Sequence, residues 1–258
     1  MTDVTPRLHS TGDGPPLFLL HPLAVDRHVW DDVVADLDGF RVLTYDLPGH
    51  GESPAPTSRT TIEEITGQLV RMLDEAGLDR VHVVGVSLGG LVAQTLAASH
   101  PERVDHLVVV DAVATYPEAL RQQWRDRQSS AREQGMEHLV EPTLNLWFTA
   151  DALAAGGREV DYVRKTVRAA DPEGYARTCE ALEVVDLSED VHRITAPTLV
   201  ICGQDDAPPF VAAAPWFAET IPGARLVWLA PARHAGALEQ RAQFVQALRE
   251  FLPAPVPA

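Results

Sequence analysis

VHVVGVSLGGLVAQTLAASH, residues 81–100, is a run of β-branched apolar residues that breaks around Gly85-Val86-Ser87-Leu88-Gly89 and resumes at once with a helical pattern. A short continuous Val-rich run reads as a strand buried on both faces, and LVAQTLAASH reads as the helix that follows it. A serine between two glycines on such a turn fits the G-x-S-x-G elbow. The serine takes a strained conformation that lifts its hydroxyl above the sheet edge, and the glycines let strand and helix approach with no Cβ between them. The helix also starts with free N–H groups beside Ser87, favourable for negative charge developing there. Serine is a preferred helix cap, but capping alone needs no flanking glycines. Ser87 is therefore the candidate nucleophile.

Five further runs repeat the strand signal: PLFLLH (16–21), RVLTYD (41–46), HLVVVD (106–111), PTLVIC (197–202) and ARLVWL (224–229). Helical patterns alternate with them. In TIEEITGQLVRMLDEAG, Ile62, Ile65, Leu69, Met72 and Leu73 form one apolar face and Gly77 marks the stop; EQRAQFVQALREFL repeats the arrangement with Phe244, Val245, Leu248 and Leu252. The expected architecture is α/β, a mostly parallel sheet with helices on both faces. From about 114 to 185 no strand-like run appears, while Leu120, Trp124, Leu139, Leu144, Trp147 and Phe148 recur at roughly helical spacing. This predicts a helical cap at 114–185 over the carboxyl edge of a core made of 1–113 and 186–258, where open α/β sheets bind ligands. The final PAPVPA predicts a loose tail.

The 258-residue chain suffices for one sizeable core. Its formal charge of −16 argues against a nucleic-acid partner, and any site for an anion has to be built locally from arginine. Cys179 and Cys202 fit neither a disulfide framework nor a metal-ligand spacing. No apolar run reaches membrane-span length and no signal-like segment opens the chain, which predicts a cytoplasmic protein without a membrane partner. No metal or cofactor motif is present, so none is expected.

A serine hydroxyl needs a base, and the base needs an orienting group. In the elbow architecture these follow in the order serine, acid, histidine. His234, between the last strand run and the last helix pattern, is the candidate base. Asp205 and Asp206 end the PTLVIC strand, and Asp111 ends another, as candidate acids. The oxyanion donors would be the Leu88 amide and one from HPLAVDRHVW; Pro22 has no N–H, so Leu23 is the candidate there.

These segments resemble the α/β-hydrolase superfamily over nearly the whole chain. HPLAVDRHVW (21–30) resembles its oxyanion loop, with Pro22 and Ala24 where glycines are frequent; YDLPGHGES (45–53), GVSLGG (85–90), GQDD (203–206) and ARHAGALEQ (232–240) resemble its other loops. The resemblance implies that the acid stands three places after Gly203, at Asp206. Within the superfamily the chain is most similar to 3-oxoadipate enol-lactonases, including the cap segments 133–153 and 174–187. That implies a small-molecule ester or lactone substrate, hydrolysed through an acyl-enzyme by Ser87, Asp206 and His234, with Trp147 at the substrate. Leu146 departs from the resemblance, because an arginine commonly stands there. A carbon–carbon hydrolase, thioesterase or perhydrolase shares these features, and a non-catalytic receptor of the same fold is the rival of another class.

Overall fold

The computed structural model describes residues 6–253. Seven strands form one sheet in the order β1-β3-β2-β4-β5-β6-β7: β1 His9–Thr11, β2 Pro16–Leu20, β3 Arg41–Thr44, β4 Val81–Val86, β5 Val104–Val110, β6 Thr198–Gly203 and β7 Arg225–Leu229. All six strand runs read from the sequence are present, and their pairings are parallel. β1 was not anticipated. It is three residues, His-Ser-Thr, with no apolar alternation, and it pairs antiparallel to β3 at the sheet edge.

β4 lies in the middle of the sheet and all six of its residues are buried, as its Val-rich composition requires. ARLVWL differs from the expectation of burial on both faces. As β7 it is the opposite edge strand, where Arg225 is exposed and Trp228 remains 36% accessible.

Eleven helices accompany the sheet among the described residues: α1 Asp31–Ala35, α2 Ile62–Glu75, α3 Leu88–Ser99, α4 Glu118–Gln134, α5 Val140–Trp147, α6 Ala150–Ala155, α7 Arg158–Ala169, α8 Pro172–Val184, α9 Pro208–Thr220, α10 Gly236–Glu239 and α11 Arg241–Phe251. The expected face of α2 is buried, and the helix starts with a reciprocal Thr61–Glu64 capping box. It ends before Gly77, whose φ of +65° is open to glycine at no steric cost. α3 is buried on nearly every side, which suits a helix wedged directly behind the central strand. None of the helices described is long and apolar enough to cross a membrane.

Helices α4 to α8 lie between β5 and β6, and an isolated antiparallel bridge joins Thr115 to Asp186 where the segment leaves and returns. α4 packs against α8, with Arg132 paired to Glu173 and Glu180. The segment is also tied to the core. The Ala235 amide donates to the Trp147 carbonyl at 2.8 Å, and Glu239 accepts from the Thr149 amide and hydroxyl at 2.9 and 2.6 Å. Of the proline-rich tail, the residues after Pro253 lie outside the described part of the chain.

Candidate active site

β4 delivers Ser87 to the carboxyl edge between β2 and β5, because Gly85 pairs with Leu20 on one side and Val109 on the other. Ser87 has φ 53° and ψ −111°, a conformation that side-chain-bearing residues rarely adopt. Its amide donates to the Val110 carbonyl at 2.9 Å and its carbonyl accepts from Leu91 at 3.1 Å, so the main chain on both sides holds the strain in place. The glycines have the reason the sequence suggests. A Cβ on Gly85 would strike the Gly89 carbonyl, and one on Gly89 would strike the Leu20 carbonyl.

The β6–α9 turn and the loop after β7 bring Asp206 and His234 together. Asp206 Oδ2 accepts from His234 Nδ1 at 2.8 Å, and Oδ1 accepts from the Ala207 amide at 2.6 Å. Asp205 is exposed and turned elsewhere, so geometry separates two carboxylates that the sequence leaves adjacent. A carboxylate on Nδ1 fixes that nitrogen as the proton carrier and leaves Nε2 free to accept. Burial works to lower the pKa of His234, but the charge and hydrogen bond of Asp206, helped by Asp111, outweigh it and the net displacement is upward. Among the described residues no hydrogen bond joins the Ser87 hydroxyl to the ring. Nucleophile–base contacts are often loose until a substrate is in place.

Leu88 opens α3, where the amide has no intrahelical acceptor. The Leu23 amide likewise makes no hydrogen bond among the described residues. The loop around Leu23 is shaped by its neighbours. His21 accepts the Leu47 amide at Nε2 (2.8 Å) and bonds the Pro22 carbonyl through Nδ1 (2.8 Å), and burial lowers its pKa, so it is a neutral brace. Ala24 takes φ 70°, the left-handed conformation a glycine would adopt freely.

Asp111 lies beneath the pair, also with positive φ (43°), and its Oδ1 accepts the Gly203 amide at 2.7 Å. Its Oδ2 is buried without a partner. Burial and the nearby Asp206 charge push its pKa up to about 8. Asp111, Cys202 and Asp206 offer ligand atoms within 4.8 Å of one another. They make a poor cation site, because both Asp206 oxygens are engaged, burial raises the Cys202 thiol pKa far above its usual range, and Asp111 favours its neutral form.

A cavity of about 290 Å³ opens over these groups, bordered by Ser87, His234, Leu23 and Trp147 together with residues from α4, α5, α8 and α9. Trp147 packs edge-on to the His234 ring at a 6.1 Å centroid distance, and Leu146 joins the lining. Several lining residues were not singled out from the sequence. Phe210, 4.4 Å from the His234 ring between centroids, follows the acid turn at a spacing that carries no motif. Arg127, Thr143 and Tyr175 come from helices whose polar residues look like solvent-facing positions in the sequence.

Comparison with known proteins places these features in context. A family model described as alpha/beta hydrolase fold matches residues 15–240. The chain is 31% identical over 241 residues to 3-oxoadipate enol-lactonase 2 of Acinetobacter baylyi, covering 93% of this chain and 89% of that protein. It is 32% identical over 247 residues to a pimeloyl-[acyl-carrier protein] methyl ester esterase of Nitrosomonas europaea, covering 92% and 96%. The crystal structure of the enol-lactonase from Burkholderia xenovorans superposes with a TM-score of 0.90 at 34% identity, covering 95% of this chain and 96% of that one.

Proposed function

Because the chain belongs to the alpha/beta hydrolase fold family, we propose that it is a serine hydrolase that cleaves a small carboxylic ester or enol-lactone through an acyl-enzyme intermediate. The observation that carries this reading is the meeting of Ser87, on its strained elbow, with the hydrogen-bonded His234–Asp206 pair at one small cavity. Residues 114–185 are then the cap over that cavity.

In this mechanism the Ser87 hydroxyl attacks the substrate carbonyl and its proton passes to His234 Nε2. Asp206 holds the resulting imidazolium, and the Leu23 and Leu88 amides donate to the oxyanion. Collapse of the tetrahedral intermediate breaks the C–O bond, and His234 returns the proton to the leaving oxygen. A water repeats the attack with His234 again as base, releasing the acid and restoring Ser87. Trp147 closes one wall around the acyl group. The relatives are named for hydrolysing an enol-lactone and a methyl ester, and the modest cavity suits a small substrate of either kind.

A fluorophosphonate reagent tests this directly. It is expected to label Ser87 in folded protein, and Ser87→Ala is expected to abolish both labelling and turnover of p-nitrophenyl acetate. Labelling elsewhere, or full turnover by the alanine variant, refutes the assignment.

A further inference from the structure

We propose that Asp111 is a positioning residue of the reaction: through the Gly203 amide it sets the turn that carries Asp206, and by holding a proton beside Asp206 it governs how firmly His234 keeps the proton taken from Ser87. This rests on the hydrolase reading and adds a fourth side chain behind the three that perform it.

Backbone strain singles Asp111 out. Among the described residues three that are not glycine have positive φ: Ala24 at 70°, Ser87 at 53° and Asp111 at 43°. The first two belong to the proposed oxyanion loop and nucleophile elbow. Strain of this kind persists where the surroundings over-determine it, and it clusters at functional sites. The contacts of Asp111 reach both of the segments that bear its neighbours. Oδ1 accepts the Gly203 amide at 2.7 Å. Gly203 is where the acid turn touches the histidine loop: a Cβ there would strike the Arg233 and Ala232 carbonyls, and the Asp205 amide donates to the Ala232 carbonyl at 2.9 Å. Oδ2 lies against the start of α10, 3.4 Å from where a Cβ on Gly236 would stand.

An asparagine would give Gly203 the same acceptor without a charge. A carboxyl here has one oxygen left over, buried and without a partner, and it lies beside a second carboxyl. Oxygens of Asp111 and Asp206 and the Cys202 Sγ fall within 4.8 Å of one another. Two carboxylates this close do not both ionise readily. Asp206 has the stronger claim to the charge, because its oxygens accept from the His234 ring and the Ala207 amide. Asp111 therefore keeps the proton at neutral pH, in accord with its raised pKa. The ionisable groups facing it are Cys202 from β6, Asp206 from the turn and His234 from the loop after β7; Arg127 of α4, in the cavity lining, acts on the ring.

Loss of the Asp111 proton places a second negative charge near the imidazolium and holds the ring proton on more tightly, while the imidazolium in turn eases ionisation of Asp111. The two ionisations are spread over a wider pH range than one group alone would give. During turnover the Ser87 proton still goes to Nε2 and on to the leaving oxygen. Asp111 transfers no proton to substrate and alters only the affinity of the ring for the one it carries.

The test is the pH profile of p-nitrophenyl acetate hydrolysis. The wild-type rise in kcat/KM is expected to be shallower than a single-proton titration, and in Asp111→Asn to become a single-proton titration with a lower midpoint. At the plateau, kcat is expected to fall about 10-fold in Asp111→Ala, which loses one hydrogen bond from the turn, and to be largely restored in Asp111→Asn. An Asp111→Asn profile superimposable on the wild type overturns the proposal. A second arm needs no turnover: NMR titration of the His234 ring in folded protein, its signal identified by its loss in His234→Gln. A ring titration that moves down and sharpens in Asp111→Asn supports the role even if the ester is not hydrolysed, which would sink the hydrolase reading alone. A ring titration that does not move overturns the proposal.

Discussion

Replacing Ser87 by glycine is expected to destroy activity and raise stability. The serine has φ 53° and ψ −111°, and such a conformation costs a side-chain-bearing residue about 1–3 kcal/mol. Glycine removes that cost while keeping both main-chain hydrogen bonds, to Val110 and from Leu91. Against this stands the extra freedom of a glycine in the unfolded chain, about 0.4–1 kcal/mol. The balance favours the glycine variant by about 1 kcal/mol, or roughly 2–4 °C in Tm for a chain of this size. Ser87→Ala is the matched control, since it also lacks the hydroxyl but retains the Cβ. Thermal unfolding of the two by circular dichroism should show the glycine protein melting above the alanine protein. If it melts at the same temperature or lower, the elbow does not store strain and its backbone geometry has another cause.

In the proposed mechanism His234 accepts the Ser87 proton and must be neutral to do so; because its pKa is raised, kcat/KM should climb with pH through a midpoint above 6.5, and a midpoint below 6.5 contradicts the environment described. Asp206→Asn should move that midpoint down and cut kcat by about 10⁴-fold, read in the same titration. The raised pKa of Asp111 means its contribution to stability is complete below its ordinary value of 3.8 and is lost as pH rises toward about 8. Asp111→Asn should therefore gain stability over the wild type as pH rises from 4 to 8, by on the order of a few kcal/mol at most and read as a Tm difference that grows with pH; a difference independent of pH refutes this. Gly89→Ala should destabilise by about 3 kcal/mol, because its Cβ meets the Leu20 carbonyl in a strand paired on both sides. Gly77→Ala, with nothing within 4 Å, should lose only the left-handed conformational cost of about 1–2 kcal/mol; equal Tm losses in the two would show that the contact is relieved cheaply.

The central sheet is legible in the sequence because strands buried on both faces leave unbroken Val/Leu/Ile runs, and the elbow is legible because its glycines have steric causes within a few residues of Ser87. Edges are less so. β1 is too short and polar to leave a pattern, and β7 shares the apolar signature of a central strand while its outer face meets solvent. Chain order narrows the candidate acid to Asp205, Asp206 or Asp111 and the resemblance implies Asp206; the turn geometry is what brings that carboxylate to the ring. That Asp111 sits against Asp206 depends on the β5–β6 pairing between residues far apart in the chain. The surroundings of Arg127 are hidden for a similar reason: the arginines of α4 look alike in sequence, and only packing against α8 shows that Arg125 and Arg132 meet carboxylates there while Arg127 donates to the Tyr175 hydroxyl.

The ties between Trp147, Thr149, Ala235 and Glu239 have a mechanical meaning. Glu239 accepts from Thr149 through one oxygen and from the Arg233 amide, beside His234, through the other. In the proposed arrangement, a shift of residues 114–185 at that corner would pull through Glu239 on the segment bearing the imidazole. The wall of the cavity and the proposed proton acceptor thus share one carboxylate anchor on that side.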